Sequence, residues 1–103
     1  MDQRIAKCLL VSQVLVADGI MTENERAFLD ALMTRLRLSD AERRRVIDLE
    51  DWDAAEPIAK AMTIDERREI IAMMVDAASS DGRLSPLESQ TVKRIAKALG
   101  VDG

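Results

Sequence analysis

The sequence predicts an all-α, single-domain bundle of about six helices, built from two related helix hairpins. Three observations indicate this fold. A Ser/Thr-x-x-Glu pattern, which is typical of helix starts, occurs four times. No segment alternates apolar and polar residues in the manner of a half-buried strand. The pattern of the first hairpin returns 63 positions later in the chain. The prediction covers residues 1–103 as one domain.

The helix starts come from a hydroxyl that caps free backbone N–H groups and a glutamate that reaches back to the cap residue. Glycines at 19, 82 and 100 lie where helices are expected to end, since glycine readily adopts the left-handed conformation. The capping pairs are Thr22 with Glu25, Ser39 with Glu42, Thr63 with Glu66 and Ser85 with Glu88, with Asp53 and Glu56 as an aspartate-led variant. The predicted helices cover residues 2–17, 23–37, 40–49, 54–61, 64–79 and 86–99.

The distribution of apolar residues separates inner helices from outer ones. In the first helix 10 of the 13 residues in 5–17 are apolar, and in the fifth 8 of the 9 residues in 70–78 are apolar, so both are predicted to lie in the middle of the bundle. The second and sixth helices carry a single apolar stripe and are predicted to be outer helices. Helices three and four are expected to bridge the two hairpins.

The internal repeat predicts two equivalent turns. Asp18-Gly19 aligns with Asp81-Gly82, and the capping pair of Thr22 and Glu25 aligns with that of Ser85 and Glu88. Two such hairpins bury their apolar faces by packing together with approximate two-fold symmetry. This arrangement can bring both turns to one end of the bundle.

Two interpretations of these turns stay open. In the first, aspartate, glycine and the capping pair are purely structural elements that end one helix and start the next. In the second, the four carboxylates gather and bind a divalent cation, and oxygen ligands favour Ca²⁺ or Mg²⁺. The candidate metal ligands are Asp18, Glu25, Asp81 and Glu88. The two aspartates are the better candidates, because a glutamate that reaches back to its own cap is less free to bind a metal. The spacing is not that of an EF-hand, and a ferritin-like di-iron site needs histidines that this chain lacks.

Composition excludes several classes of function. With no histidine and one cysteine, the chain has no Ser-His-Asp or Cys-His nucleophile system, no His-ligated zinc or haem, and no internal disulfide. A pI near 4.8 and an aromatic content of 2% argue against nucleic-acid binding. The apolar run at 5–17 is too short to span a bilayer. We therefore expect a cytoplasmic protein that is not an enzyme, with no catalytic residues, no cofactor-binding residues and no transmembrane segment.

Two segments of the chain resemble the TerB-like family. They are R-R-E-I-I-A-M-M-V-D-A-A-S-S-D-G-R-L-S-P-L-E, which starts at Arg67, and V-A-D-G-I-M-T-E-N-E, which starts at Val16. The resemblance implies an all-helical, non-enzymatic module of bacterial stress responses, with possible peripheral association with a membrane complex. It also implies that Asp18, Glu25, Asp81 and Glu88 form an acidic cluster that binds a divalent metal. Ser80 stands where the family usually has alanine, and tellurite resistance itself is not inferred.

Trp52 is the candidate partner-binding residue. It is the sole tryptophan and lies between Asp51 and Asp53 in the predicted bridge. It either half-buries against the bundle or remains exposed as an anchor for a partner. The sequence thus leaves two functions open. One is a cation-binding stress-response module, and the other is a protein-interaction bundle that docks a protein partner or another copy of itself.

Overall fold

The computed structural model describes residues 2–80, 82 and 84–101, and within these residues every regular element is helical. Its Cα radius of gyration, 12.4 Å, is that of one compact domain of this length. The predicted all-α bundle is confirmed. Its elements are α1 (Gln3–Leu15), α2 (Glu23–Arg35), α3 (Asp40–Ile47), a 3₁₀ turn (Trp52–Ala54), α4 (Ala55–Lys60), α5 (Ile64–Ala78) and α6 (Pro86–Ala98).

The four Ser/Thr capping pairs start their helices where the sequence places them. The predicted aspartate-led pair does not, because Asp53 lies within the 3₁₀ turn and α4 follows Ala54, whose side chain makes no cap hydrogen bond. In α2, α3 and α6 the hydroxyl accepts the N–H of the third helical residue, and the glutamate accepts the N–H of the cap. In α5 the Thr63 hydroxyl accepts the N–H of Glu66 at 3.2 Å and donates to its carboxylate at 3.1 Å. Most helices end one or two residues before the predicted boundary, because the chain already turns there. After α1, for example, the N–H of Gly19 bonds the carbonyl of Val16 at 2.9 Å.

α1 is the central helix, and its residues 8–15 are all buried. α3, the 3₁₀ turn and α4 all pack against it, as do α2, α5 and α6. α5 differs from the prediction, because Val75 and Ala72 on one of its faces are exposed. The reason is topological: the elements that join the two hairpins fold over α1, whereas the principal neighbours of α5 are α1, α6 and α2.

The two hairpins keep the symmetry that the repeat predicts, and two arginines show it in atomic detail. The Arg4 Nη1 donates to the carbonyl of Leu36 at 2.9 Å, and the Arg67 Nη1 donates to the carbonyl of Leu99 at 2.9 Å. The second arginine and the second leucine each lie 63 positions after the first. In each hairpin, an arginine near the start of the first helix thus caps the end of the second helix, where the last carbonyl groups have no hydrogen-bond partner within the helix.

We expect Arg67→Met to lower the free energy of unfolding by about 1–2 kcal/mol, because a part-buried hydrogen bond from a charged group is lost. Urea denaturation measures the effect. The matched control is Arg68→Met, which removes an exposed arginine from the adjacent position. Equal losses in the two variants would contradict a capping role for Arg67.

Candidate functional site

The first Asp-Gly turn uses its polar side chains for local structure. The Asp18 Oδ1 accepts the N–H of Ile20 at 3.2 Å, and Gly19 has the positive φ of 90° that this turn requires. Thr22 and Glu25 then form a full capping box, in which the Glu25 Oε1 accepts the N–H of Thr22 at 2.9 Å. Asp18 is exposed to solvent, whereas Glu25 is buried.

The second turn repeats this construction in the described residues. Gly82 has a φ of 110°, and the Glu88 Oε1 accepts the N–H of Ser85 at 3.0 Å in the capping box of α6. Glu88 is also buried. Asp81, the fourth candidate ligand, lies outside the described residues.

The fold brings Glu25 and Glu88 together, and we call these two residues the glutamate pair. Their exposed fractions are 2% and 3%, which is rare for glutamate. Burial and the adjacent Glu88 carboxyl group raise the pKa of Glu25 to about 7, because both disfavour the ionised form. The Glu88 Oε2 is buried and accepts no hydrogen bond from the described residues. With both groups ionised, this oxygen has no positive partner among the residues that the structure describes.

The chemistry of the pair fits one shared positive charge. A proton on the Glu25 carboxyl group would let it donate to Glu88, and a cation would neutralise both. Within the part of the chain that the structure describes, no three His, Cys, Asp or Glu side chains cluster in a way that could hold a metal ion. Asp18 therefore does not join the pair as a third ligand there. Sequence reasoning identified both glutamates but not that burial would set them apart from the aspartate.

Trp52 lies at a second candidate site, in the 3₁₀ turn before α4. Its exposed fraction is 49%, so one side of the indole packs against the bundle and the other faces solvent. Gln13 fixes the backbone beneath it, because its Nε2 donates to the Trp52 carbonyl at 3.2 Å. The indole borders a cavity of about 300 Å³ that opens between α1 and α6. Trp52 is therefore both partly buried and available to a partner.

Cys8 takes no part in either site. It is fully buried in α1, and this burial raises the pKa of its thiol to about 12. A thiol that stays protonated at neutral pH is a weak nucleophile and a weak metal ligand. Cys8 contributes to the core.

Comparison with known proteins identifies the family. The model of the family described as Tellurite resistance protein TerB matches residues 4–103. No curated protein and no solved structure matches the chain. Among the described residues, no helix has the length and apolar character needed to cross a membrane. The match runs through both hairpins, both turns and the bridge between them, and the chain belongs to the TerB family.

Proposed function

We propose that this TerB-family chain is a non-enzymatic stress-response module in which the glutamate pair binds a divalent cation, Ca²⁺ or Mg²⁺. The observation that supports this function is the buried Glu88 Oε2, which has no hydrogen-bond donor among the described residues and lies beside a second buried carboxyl group. Asp18 and Asp81 are the further candidate ligands, and Asp18 would act only if its turn moves toward the pair.

The capping boxes limit how tightly such a cation binds. Each glutamate already uses its Oε1 to accept the N–H of its own cap residue, so only one oxygen of each carboxyl group is free to ligate. Turn carbonyls and water would complete the six to eight oxygen ligands that Ca²⁺ takes. We therefore expect weak binding, with a Kd on the order of 10⁻⁴ to 10⁻³ M.

An amide-correlation NMR titration of metal-stripped protein with CaCl₂ and then MgCl₂ tests this function. Saturable shifts at Gly19 and Gly82, the glycines of the two turns, are the expected result. Glu88→Gln is the matched variant, because glutamine keeps the capping box while removing the charge, and it should abolish the saturation. A titration with KCl at equal ionic strength controls for general salt effects. Unchanged spectra at millimolar Ca²⁺ and Mg²⁺ would refute the cation site.

The second candidate function is a protein-interaction bundle in which the turns are purely structural. The observation that favours it is the half-exposed Trp52 at an open apolar cavity. Its partner would be another protein or a second copy of the chain, and peripheral association with a membrane complex in the cytoplasm belongs to this proposal. Under this function the turns are complete without a metal, because the capping boxes already account for Glu25 and Glu88.

A further inference from the structure

An open groove separates the end of α1 from α6, and we call it the α6 groove. Apolar side chains from the turn after α1 and from the segment before α4 form most of its surface, Gln13 of α1 adds a polar group, and two polar side chains of α6 form the opposite side. Its lining residues are Gln13, Val16, Ala17, Leu49, Trp52, Thr91 and Arg94. Leu87, on the same stripe of α6 one turn before Thr91, has an exposed fraction of 50% and extends the apolar surface.

The internal repeat shows which kind of side chain fits beside this helix. Phe28 of α2 occupies the position that corresponds to Thr91 of α6. Phe28 is partly buried and packs against the core. At the corresponding position of α6, the smaller Thr91 borders the α6 groove, which has a volume of about 300 Å³. The second hairpin thus lacks a bulky side chain that the first hairpin supplies from its own sequence.

Charges on the two sides of the α6 groove differ in sign. On the α6 side, Arg94 bonds Glu56 through one nitrogen at 3.0 Å, and its side chain is 56% exposed, so other N–H groups of the guanidinium face solvent. On the opposite side, Asp51 and Asp53 are exposed on either side of Trp52. A ligand that matches both sides is negative next to α6 and positive next to the 3₁₀ turn.

We propose that the α6 groove binds an amphipathic helix of a partner protein, which inserts an aromatic or large aliphatic side chain beside Thr91. A carboxylate one helical turn away pairs with Arg94, and a basic residue on the other edge faces Asp51 and Asp53. This inference rests on the second candidate function and gives it a site and a partner chemistry. A helix suits the groove because apolar residues three or four positions apart lie on one face.

The probe is a synthetic helical peptide with capped ends that carries phenylalanine and glutamate one turn apart and lysine on the opposite edge. Since Trp52 is the sole tryptophan, its fluorescence reports binding directly. We expect a saturable fluorescence change, with amide shifts at Ala17 and Thr91. The affinity should fall about tenfold or more when alanine replaces the phenylalanine of the peptide.

Two variants of the protein separate the groove from other surfaces. Thr91→Phe restores the side chain of the first hairpin, so the protein should fold with unchanged melting temperature while its affinity for the peptide falls at least about tenfold. Arg94→Glu should weaken binding by about three- to tenfold, and a peptide with lysine in place of glutamate should recover it. Should Thr91→Phe unfold the protein, the charge reversal at Arg94 still decides the question.

Several outcomes would overturn the proposal. They are the absence of any saturable change with the peptide, equal affinity in folded Thr91→Phe, and failure of the lysine peptide to recover binding to Arg94→Glu. Sedimentation equilibrium that shows a wild-type dimer dissociating in Thr91→Phe would instead assign the groove to a second copy of the chain. Peptide shifts confined to α2 would refute the α6 groove and leave an interaction function on another surface.

Discussion

Glu25→Gln is expected to raise the free energy of unfolding above pH 7 by up to about 3 kcal/mol and to change it little below pH 4.5. The pKa of Glu25 rises from 4.5 to about 7 on folding, so the folded state binds its proton more tightly than the unfolded state. The stabilisation from this proton is complete below pH 4.5 and is lost as the pH rises to 7. Glutamine stays neutral, keeps the capping box, and can donate to the Glu88 Oε2.

Urea denaturation of both proteins between pH 4 and 8, with a chelator present, measures this difference. Glu42→Gln is the matched control, because Glu42 also closes a capping box but its pKa is lowered by the hydrogen bond from the N–H of Ser39. Glu42→Gln should therefore lower the free energy of unfolding above pH 4.5, whereas Glu25→Gln raises it. A Glu25→Gln curve parallel to that of the wild type would mean that the glutamate pair does not share a proton.

Leu9→Ala is expected to lower the free energy of unfolding by about 2–5 kcal/mol, since a fully buried leucine leaves a cavity when it is truncated. Leu9 has no exposed surface and lies on the central helix, against which five other helices pack. Neighbouring side chains cannot collapse into the space without moving α1 itself. This loss is a large fraction of the roughly 5–15 kcal/mol by which an ordinary domain is stable.

Thermal and urea unfolding monitored by far-UV circular dichroism quantify this loss. Ile20→Ala is the control, because Ile20 is 70% exposed in the first turn and should change stability by less than about 0.5 kcal/mol. A similar small change in Leu9→Ala would contradict the central position of α1.

Local chemistry explains how much of the fold the sequence predicts. A hydroxyl cap and its glutamate lie three residues apart, so their hydrogen bonds depend on the nearby backbone alone, and the structure forms three full capping boxes where the pattern predicts them. The internal repeat likewise predicts the symmetric hairpins. Apolar composition did not predict the exposed face of α5, because composition does not show which of the two inner helices the connecting segments cover. The sequence indicated α1 and α5 equally as inner helices, but it is α1 that is buried on every side over residues 8–15, whereas one face of α5 is exposed.

The candidate sites likewise combine residues that the sequence predicts with contacts that only the packing of the hairpins decides. Both glutamates were identified from the repeat, but their burial and the raised pKa of Glu25 depend on how the two hairpins pack, as does the lack of a partner for the Glu88 Oε2 among the described residues. The caps that Arg4 and Arg67 provide were missed, although the 63-residue shift aligns them, because each arginine bonds a carbonyl 32 residues away. Within the described residues, packing leaves Asp18 exposed and outside the pair.

The sequence by itself determined the helices, the starts of the four that a serine or threonine caps, the two equivalent turns and membership in the TerB family, since capping, periodicity and repetition are properties of neighbouring residues and of their order. The tertiary structure alone decided which carboxyl groups face each other and where a cavity stays open beside Trp52. Those outcomes depend on contacts between residues far apart in the chain. Packing brings Glu25 and Glu88 from separate hairpins together, and it leaves an open cavity beside Thr91, at the position where the first hairpin carries Phe28.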